Sequence, residues 1–178
     1  SFHSLDISEH YVDHSKDTET SICREVTEWV EEKSEEHSVV VFGDKGIGKT
    51  TLLKKVIQDL GEEHPEVLDF VYAKIPAKTI DKDKAYRFIE NALGFEEDGS
   101  FDLYKLDKKL EKKTVLVLDE AQNLFLSHTK GFSAYNGLLN MINFSTENIF
   151  WVLSFNKYSW LYLDRAFGRS QFFRNVFE

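Results

Sequence analysis

An α/β fold, a three-layer αβα sandwich around a mostly parallel sheet, is predicted by three features of the sequence. Val39-Val40-Val41-Phe42, Val115-Leu116-Val117-Leu118 and residues 149–155 are apolar runs without polar alternation, as expected of strands buried on both faces. Between them lie segments whose apolar residues recur at helical spacing, and strands alternating with helices build a parallel sheet covered on both sides. The first run leads directly into Gly43-Asp44-Lys45-Gly46-Ile47-Gly48-Lys49-Thr50, and a helical pattern begins where that sequence ends.

The elements follow in order. Residues 1–17 are polar and aperiodic, a lead-in carrying His3, His10 and His14; the last two are four apart, but with no third ligand nearby they read as solvated. Ile22, Val26, Trp29 and Val30 give a helix over 18–33, its glutamates outward. After the first strand, Leu52, Leu53, Val56, Ile57 and Leu60 form the stripe of a helix over 50–60, with Gly61 as its stop. Residues 67–75 read as a strand interrupted by Asp69 and Lys74, and Asp81 caps a helix to Leu93 that ends at Gly94. An acidic loop over 94–100 precedes a helix marked by Leu103, Leu106 and Leu110. The strand over 115–118 is followed by a helix carrying Phe132, Tyr135, Leu138, Leu139 and Ile142, then by the strand over 149–155. There is no internal repeat and no low-complexity segment.

With 178 residues, 42% of them hydrophobic, the chain suits one core domain, expected over 18–178. A formal charge of −9 does not support nucleic acid or an anionic membrane as a broad surface partner, because both reward clustered Lys and Arg. Cys23, the single cysteine, excludes an intramolecular disulfide and reads as a packing residue. No run is long enough to span a membrane and no signal sequence is visible, so a cytoplasmic domain is expected. The start at Ser1 and the end after Phe172-Phe173-Arg174-Asn175-Val176-Phe177 suggest a piece of a longer protein.

The chemistry begins in the glycine-rich segment. Glycines at 43, 46 and 48 let the backbone curl so that its N–H groups, with Asp44, Lys45 and Ile47 between them, point at phosphates. Lys49 reaches the β and γ oxygens, the Thr50 hydroxyl takes a place on Mg²⁺, and Thr51 continues into a helix whose N-terminus favours anions. The ligand class is a nucleoside triphosphate. Asp119-Glu120, delivered by an apolar strand to the mouth of the sheet, divide the remaining work: Asp119 holds Mg²⁺, and Glu120 accepts a proton from the attacking water or orients it. Asn156 ends the next strand, where a neutral amide can donate to the γ-phosphate or hold that water. Ser154 is the poorer candidate, because it lies inside the strand.

The order of Gly43 to Thr51, then Asp119-Glu120-Ala121-Gln122, then Asn156 resembles an AAA+ ATPase, and more narrowly the branch of origin-recognition, ExeA-like and transposition-regulator ATPases. That resemblance implies an additional-strand P-loop NTPase sheet, with Walker A in the first segment, Walker B in the second and sensor 1 at Asn156. It implies ATP and Mg²⁺ as ligands, hydrolysis coupled to conformational change or assembly, and self-association in the parent protein. It also implies an arginine reaching into a neighbouring subunit. Arg165, Arg169 and Arg174 fall in the right stretch; Gly168 favours exposure of Arg169, whereas phenylalanines surround Arg174. Two departures from the resemblance stand out: the sequence ends where the family's C-terminal helical lid is expected to begin, so that lid is expected to be missing from it, and near the second strand's end only Lys74, Lys78 and Thr79 are polar candidates for a switch residue.

Rival readings fit less well. Asp-Glu-Ala-Gln also resembles the box of superfamily 2 helicases, but one sheet domain cannot supply their second motor domain. Asn156-Lys157-Tyr158-Ser159 lacks the carboxylate that guanine recognition needs. A nucleoside kinase has no use for a Glu120 beside its metal aspartate. The alternative from another class is a STAND-type nucleotide switch or scaffold with little turnover, which uses the same pocket.

Overall fold

Among the described residues, five parallel strands form one sheet in the order β2-β3-β4-β1-β5. They are β1 (Ser38–Gly43), β2 (Leu68–Lys74), β3 (Lys113–Asp119), β4 (Ile149–Asn156) and β5 (Val176–Phe177), joined by α1 (Ser15–Val30), α2 (Lys49–Glu63), α3 (Lys82–Ala92), α4 (Leu103–Lys109) and a 3₁₀ turn at Ala121–Leu124. The computed structural model describes residues 15–43, 48–76, 82–96, 102–124, 146–158 and 176–177. The helix expected around Phe132 to Ile142, the Asp81 cap and the three histidines of the lead-in lie outside them.

Both faces of β1, β3 and β4 are buried, as unalternating apolar strands require. On one face Ile22, Val26 and Trp29 of α1 and Leu53, Val56 and Leu60 of α2 pack on Val39, Val41, Val115, Val117, Phe150 and Val152. Trp29 meets Phe150 edge to face with ring centroids 5.6 Å apart, and burial of each such side chain contributes about 1.5–3 kcal/mol. The alternate residues, Val40, Phe42, Leu116, Leu118, Trp151, Leu153 and Phe155, are equally buried on the other face. Strand β4 is the centre of the sheet, paired with β1 through Gly43↔Asn156 and with β3 through Leu118↔Leu153. Its approach is fixed by Asp107 of α4, fully buried, whose carboxylate accepts the N–H groups of Glu147 at 3.1 Å and Asn148 at 2.9 Å.

Several boundaries differ from the sequence reading. Helix α1 starts at Ser15, inside the expected lead-in, and ends at Val30. The chain then turns through Glu32, held at φ 60° while the N–H of Lys33 bonds the Glu28 carbonyl. Gly61 does not stop α2: it sits in the last turn, and the helix ends only at His64, φ −132°. Pro65 is the cause, because the residue before a proline is driven out of the helical region. Strand β2 is half-exposed with Asp69 and Lys74 outward, which is the position of an edge strand and explains its broken apolar run. Helix α4 ends at Lys109 rather than taking in Leu110, and Asp102 caps it by accepting the Lys105 N–H at 3.2 Å. Strand β5, alongside Val40 and Val41, was not expected at all. Gly94, at φ 85°, does turn the chain out of α3 as expected.

Candidate functional site

A parallel sheet brings the C-terminal ends of its strands to one edge, where open α/β folds bind ligands. Here that edge gathers Gly43 of β1, Asp119 and Glu120 from β3, and Asn156 of β4, with the first turn of α2 facing them. Gly48 starts α2 at φ 79° and ψ 20°. A Cβ at that position would meet nothing within 4 Å, so the left-handed backbone, not crowding, calls for glycine. The middle of the glycine-rich segment, Asp44, Lys45, Gly46 and Ile47, lies outside the described residues, as do Arg165, Arg169 and Arg174. Thr51 is exposed on the first turn of α2.

Lys49 is buried, only 9% exposed, and its Nζ donates to the Phe155 carbonyl at 2.8 Å. Burial pulls its pKa below the ordinary lysine value, and the carboxylates of Glu120 and Asp119 offset part of that fall. The Thr50 hydroxyl donates to Asp119 Oδ2 at 3.1 Å, so the two groups expected at a metal already converge. Tyr72, reaching across from β2, donates its hydroxyl to the same oxygen, and the Glu120 N–H takes Oδ1 at 2.9 Å. Burial alone would raise the Asp119 pKa. Hydrogen bonds from Tyr72, Thr50 and the Glu120 backbone, with the nearby Ser154 hydroxyl, outweigh burial and hold the carboxyl below the usual carboxylate range. Conversely, burial and then its bond to Asp119 push the Tyr72 phenol up to about 12.

Glu120 stands at φ 54°, a left-handed conformation that costs a residue with a Cβ about 1 kcal/mol. The turn after β3 compensates: the Asn123 N–H bonds the Glu120 carbonyl at 3.0 Å, and Asn123 Nδ2 donates to the Ile75 carbonyl at 3.0 Å, tying β3 to β2. Gln122 Nε2 donates to the Glu120 carboxylate, while Gln122 Oε1 accepts the Asn156 N–H at 3.2 Å. Of the expected switch candidates, Lys74 lies opposite Asp119 in register and is exposed, whereas Lys78 and Thr79 fall outside the described residues.

Three contributors were not assigned a place here from the sequence. Tyr72 looked like one more residue of β2, and only the β2–β3 register brings its hydroxyl to Asp119. Gln122 stood out for its resemblance to a helicase box, not for a link to Asn156. Ser154 looked unpromising inside its strand, yet its hydroxyl is fully buried near Asp119 and favours the charged carboxylate from there, although not in the geometry of a good hydrogen bond. The strand alternation puts residues 154 and 156 on the same face as Asp119, which is the signal that could have found it.

Comparison with known proteins agrees with this architecture. In solved structures, the ORC2 protein of Aeropyrum pernix superposes with a TM-score of 0.70 at 15% identity, covering 93% of this chain and 47% of that one. The ORC1 protein of the same organism, solved in complex with DNA, gives 0.66 at 18% identity, with coverages of 94% and 46%. Cdc6p of Pyrobaculum aerophilum gives 0.64 at 18% identity, with coverages of 93% and 45%. The chain thus spans less than half the length of these structures, and likeness at such identities is likeness of fold. No curated protein matches the sequence significantly. Residues 30–158, however, match the family described as the AAA domain. Since that match runs from the end of α1 to just past β4 and takes in Lys49, Asp119, Glu120 and Asn156, the chain belongs to the AAA domain family.

Proposed function

We propose that this domain binds ATP with Mg²⁺ and hydrolyses it, and that the turnover drives a conformational change or assembly in the longer protein. The observation that carries this reading is the convergence of Lys49, Thr50, Asp119, Glu120 and Asn156 at one sheet edge. In this reading Gly43, Asp44, Lys45, Gly46, Ile47, Gly48 and Thr51 cradle the phosphates, and Lys49 pairs with their oxygens. Thr50 and Asp119 suit Mg²⁺, a hard cation that takes one or two protein oxygens beside phosphates. Their hydroxyl and carboxylate lie 3.1 Å apart, and Asp119 is held in its charged form. The ion neutralises phosphate charge when bound. Glu120 orients the attacking water and takes its proton, and Asn156 supplies a neutral donor. An arginine from a second copy, Arg169 ahead of Arg165 and Arg174, completes the charge balance. Residues 18–178 form the nucleotide-binding core, which works in the cytoplasm. No helix among the described residues is long and apolar enough to cross a membrane.

The test separates binding from chemistry. Lys49→Ala is expected to weaken ATP binding at least tenfold by calorimetry, since a charge-assisted hydrogen bond contributes roughly 1.5–3 kcal/mol. Glu120→Gln is expected to leave ATP affinity intact while phosphate release by the full-length protein falls by roughly 10²-fold. Equal affinity in the Lys49 variant would remove the phosphate assignment. Binding without turnover, in wild type as in the Glu120 variant, would make the domain a nucleotide switch.

A further inference from the structure

Gln122, second residue of the 3₁₀ turn, is buried with 4% exposure, yet both ends of its amide are used. Its nitrogen serves the Glu120 carboxylate and its oxygen takes the Asn156 N–H at 3.2 Å. The orientation of the amide follows from its partners, because a carboxylate only accepts and a backbone N–H only donates. The N–H in question belongs to the peptide between Phe155 and Asn156. The carbonyl of that same peptide holds Lys49 Nζ at 2.8 Å. One rigid peptide plane at the end of β4 is therefore gripped on both edges, and the series runs from Lys49 through the peptide and Gln122 to Glu120.

We propose that Gln122 is a positioning residue for hydrolysis, which aims the Glu120 carboxylate by tying it to the peptide that Lys49 holds; the proposal rests on the reading of Glu120 given above. A glutamate side chain turns about three bonds and, unsupported, spends most of its time misdirected, while reaction demands near-attack alignment. Here the backbone of Glu120 is already fixed at φ 54° by its neighbours, so the only freedom left is that of the side chain, and Gln122 removes it. The part needs this residue type. Asparagine is too short to span both partners, glutamate can accept from Asn156 but offers Glu120 no donor, and methionine fills the volume with neither function. Because Gln122 meets Asn156 only at its backbone N–H and reaches Lys49 only through the intervening peptide, its removal is expected to act far more on turnover than on affinity.

The experiment uses the full-length protein and four variants: Gln122→Met, Gln122→Glu, Glu120→Gln and the double variant E120Q/Q122M. ATP affinity is measured by calorimetry, steady-state phosphate release gives kcat and KM, and thermal melts report folding. The expected result is a 10–100-fold lower kcat in Q122M and Q122E, with Kd and KM within about threefold of wild type. In the E120Q background, Q122M is expected to add less than about twofold, because residues that act through one group are not additive. If Q122M does not fold, Q122E, which keeps the link to Asn156, carries the test. Wild-type kcat in Q122E, a raised kcat in either variant, or full additivity with E120Q overturns the role of Gln122. Undiminished turnover in E120Q itself, or none in wild type, overturns the reading of Glu120 and this proposal with it; a normal Q122E beside an inactive E120Q overturns this proposal alone.

Discussion

Replacing Asp107 by alanine is expected to destabilise the domain by about 2–4 kcal/mol, although the residue is none of the groups proposed to touch nucleotide. The carboxylate is fully buried and accepts the N–H groups of Glu147 at 3.1 Å and Asn148 at 2.9 Å, and the Asn148 side chain adds a longer contact at 3.3 Å. Hydrogen bonds to a charged group contribute roughly 1.5–3 kcal/mol each. Two of them sum to about 3–6 kcal/mol gross, and two corrections reduce that figure: Glu147 is exposed enough for water to replace one bond, and removing the buried charge recovers part of its desolvation cost. For a chain of this size the remainder corresponds to a fall in Tm of roughly 5–15 °C. Urea melts at pH 7 with an unchanged m-value measure it directly, and Asp107→Asn, which keeps one acceptor, is expected to lose about half as much. A loss under about 1 kcal/mol in the alanine variant would mean that the turn before β4 is held by its strand pairing and that Asp107 is incidental.

The thiol of Cys23 is pushed up to about 12, by burial first and then by the negative charges of Asp59, Glu19 and Glu63. Ellman's reagent at pH 8 is therefore expected to react at least a hundredfold more slowly with the folded chain than with the chain in denaturant; equal rates would refute the burial argument. Asp119 offers a pH signature. Its folded pKa lies below the unfolded one, so its contribution to stability is present above the ordinary carboxylate pKa of about 4 and is lost as pH falls through the folded value. Compared by urea melts at pH 7 and near pH 3, the stability difference between wild type and Asp119→Asn is expected to move in favour of the variant at the lower pH. A pH-independent difference would show that the hydrogen bonds from Tyr72 and Thr50 do not select the charged form.

What the sequence makes legible is what lies close together in it. Lys49 and Thr50 follow their glycines, and Asp119 and Glu120 follow an apolar strand, so local spacing and the strand's burial on both faces suffice to place them. Asn156 can be read the same way, as the polar end of an apolar run. Tyr72 and Gln122 cannot, because their partners are set by register between strands: β2 against β3 for the first, and the approach of β4 for the second. Asp107 acts on residues 147 and 148 across a long intervening segment, and no periodicity signals such a bond. The error at Gly61 has a different origin. Glycine permits a helix to end but does not compel it, whereas Pro65 does, and the proline is the stronger punctuation. Strand β5 contributes two residues, too few for any pattern of alternation to register.

The central place of β4 has a consequence for how the chain comes into being. Strand β1 emerges from the ribosome before the other described strands, yet its neighbours in the sheet are β4 and β5, more than a hundred residues later. When residues up to 145 have left the ribosome, β2 can already lie against β3, but among the described strands β1 has none to join, because its neighbours β4 and β5 are still to come. Strand β4 must therefore enter between β3 and a β1 that has no other long partner, so the edge that brings β1, β3 and β4 side by side comes into existence only once residue 156 is available.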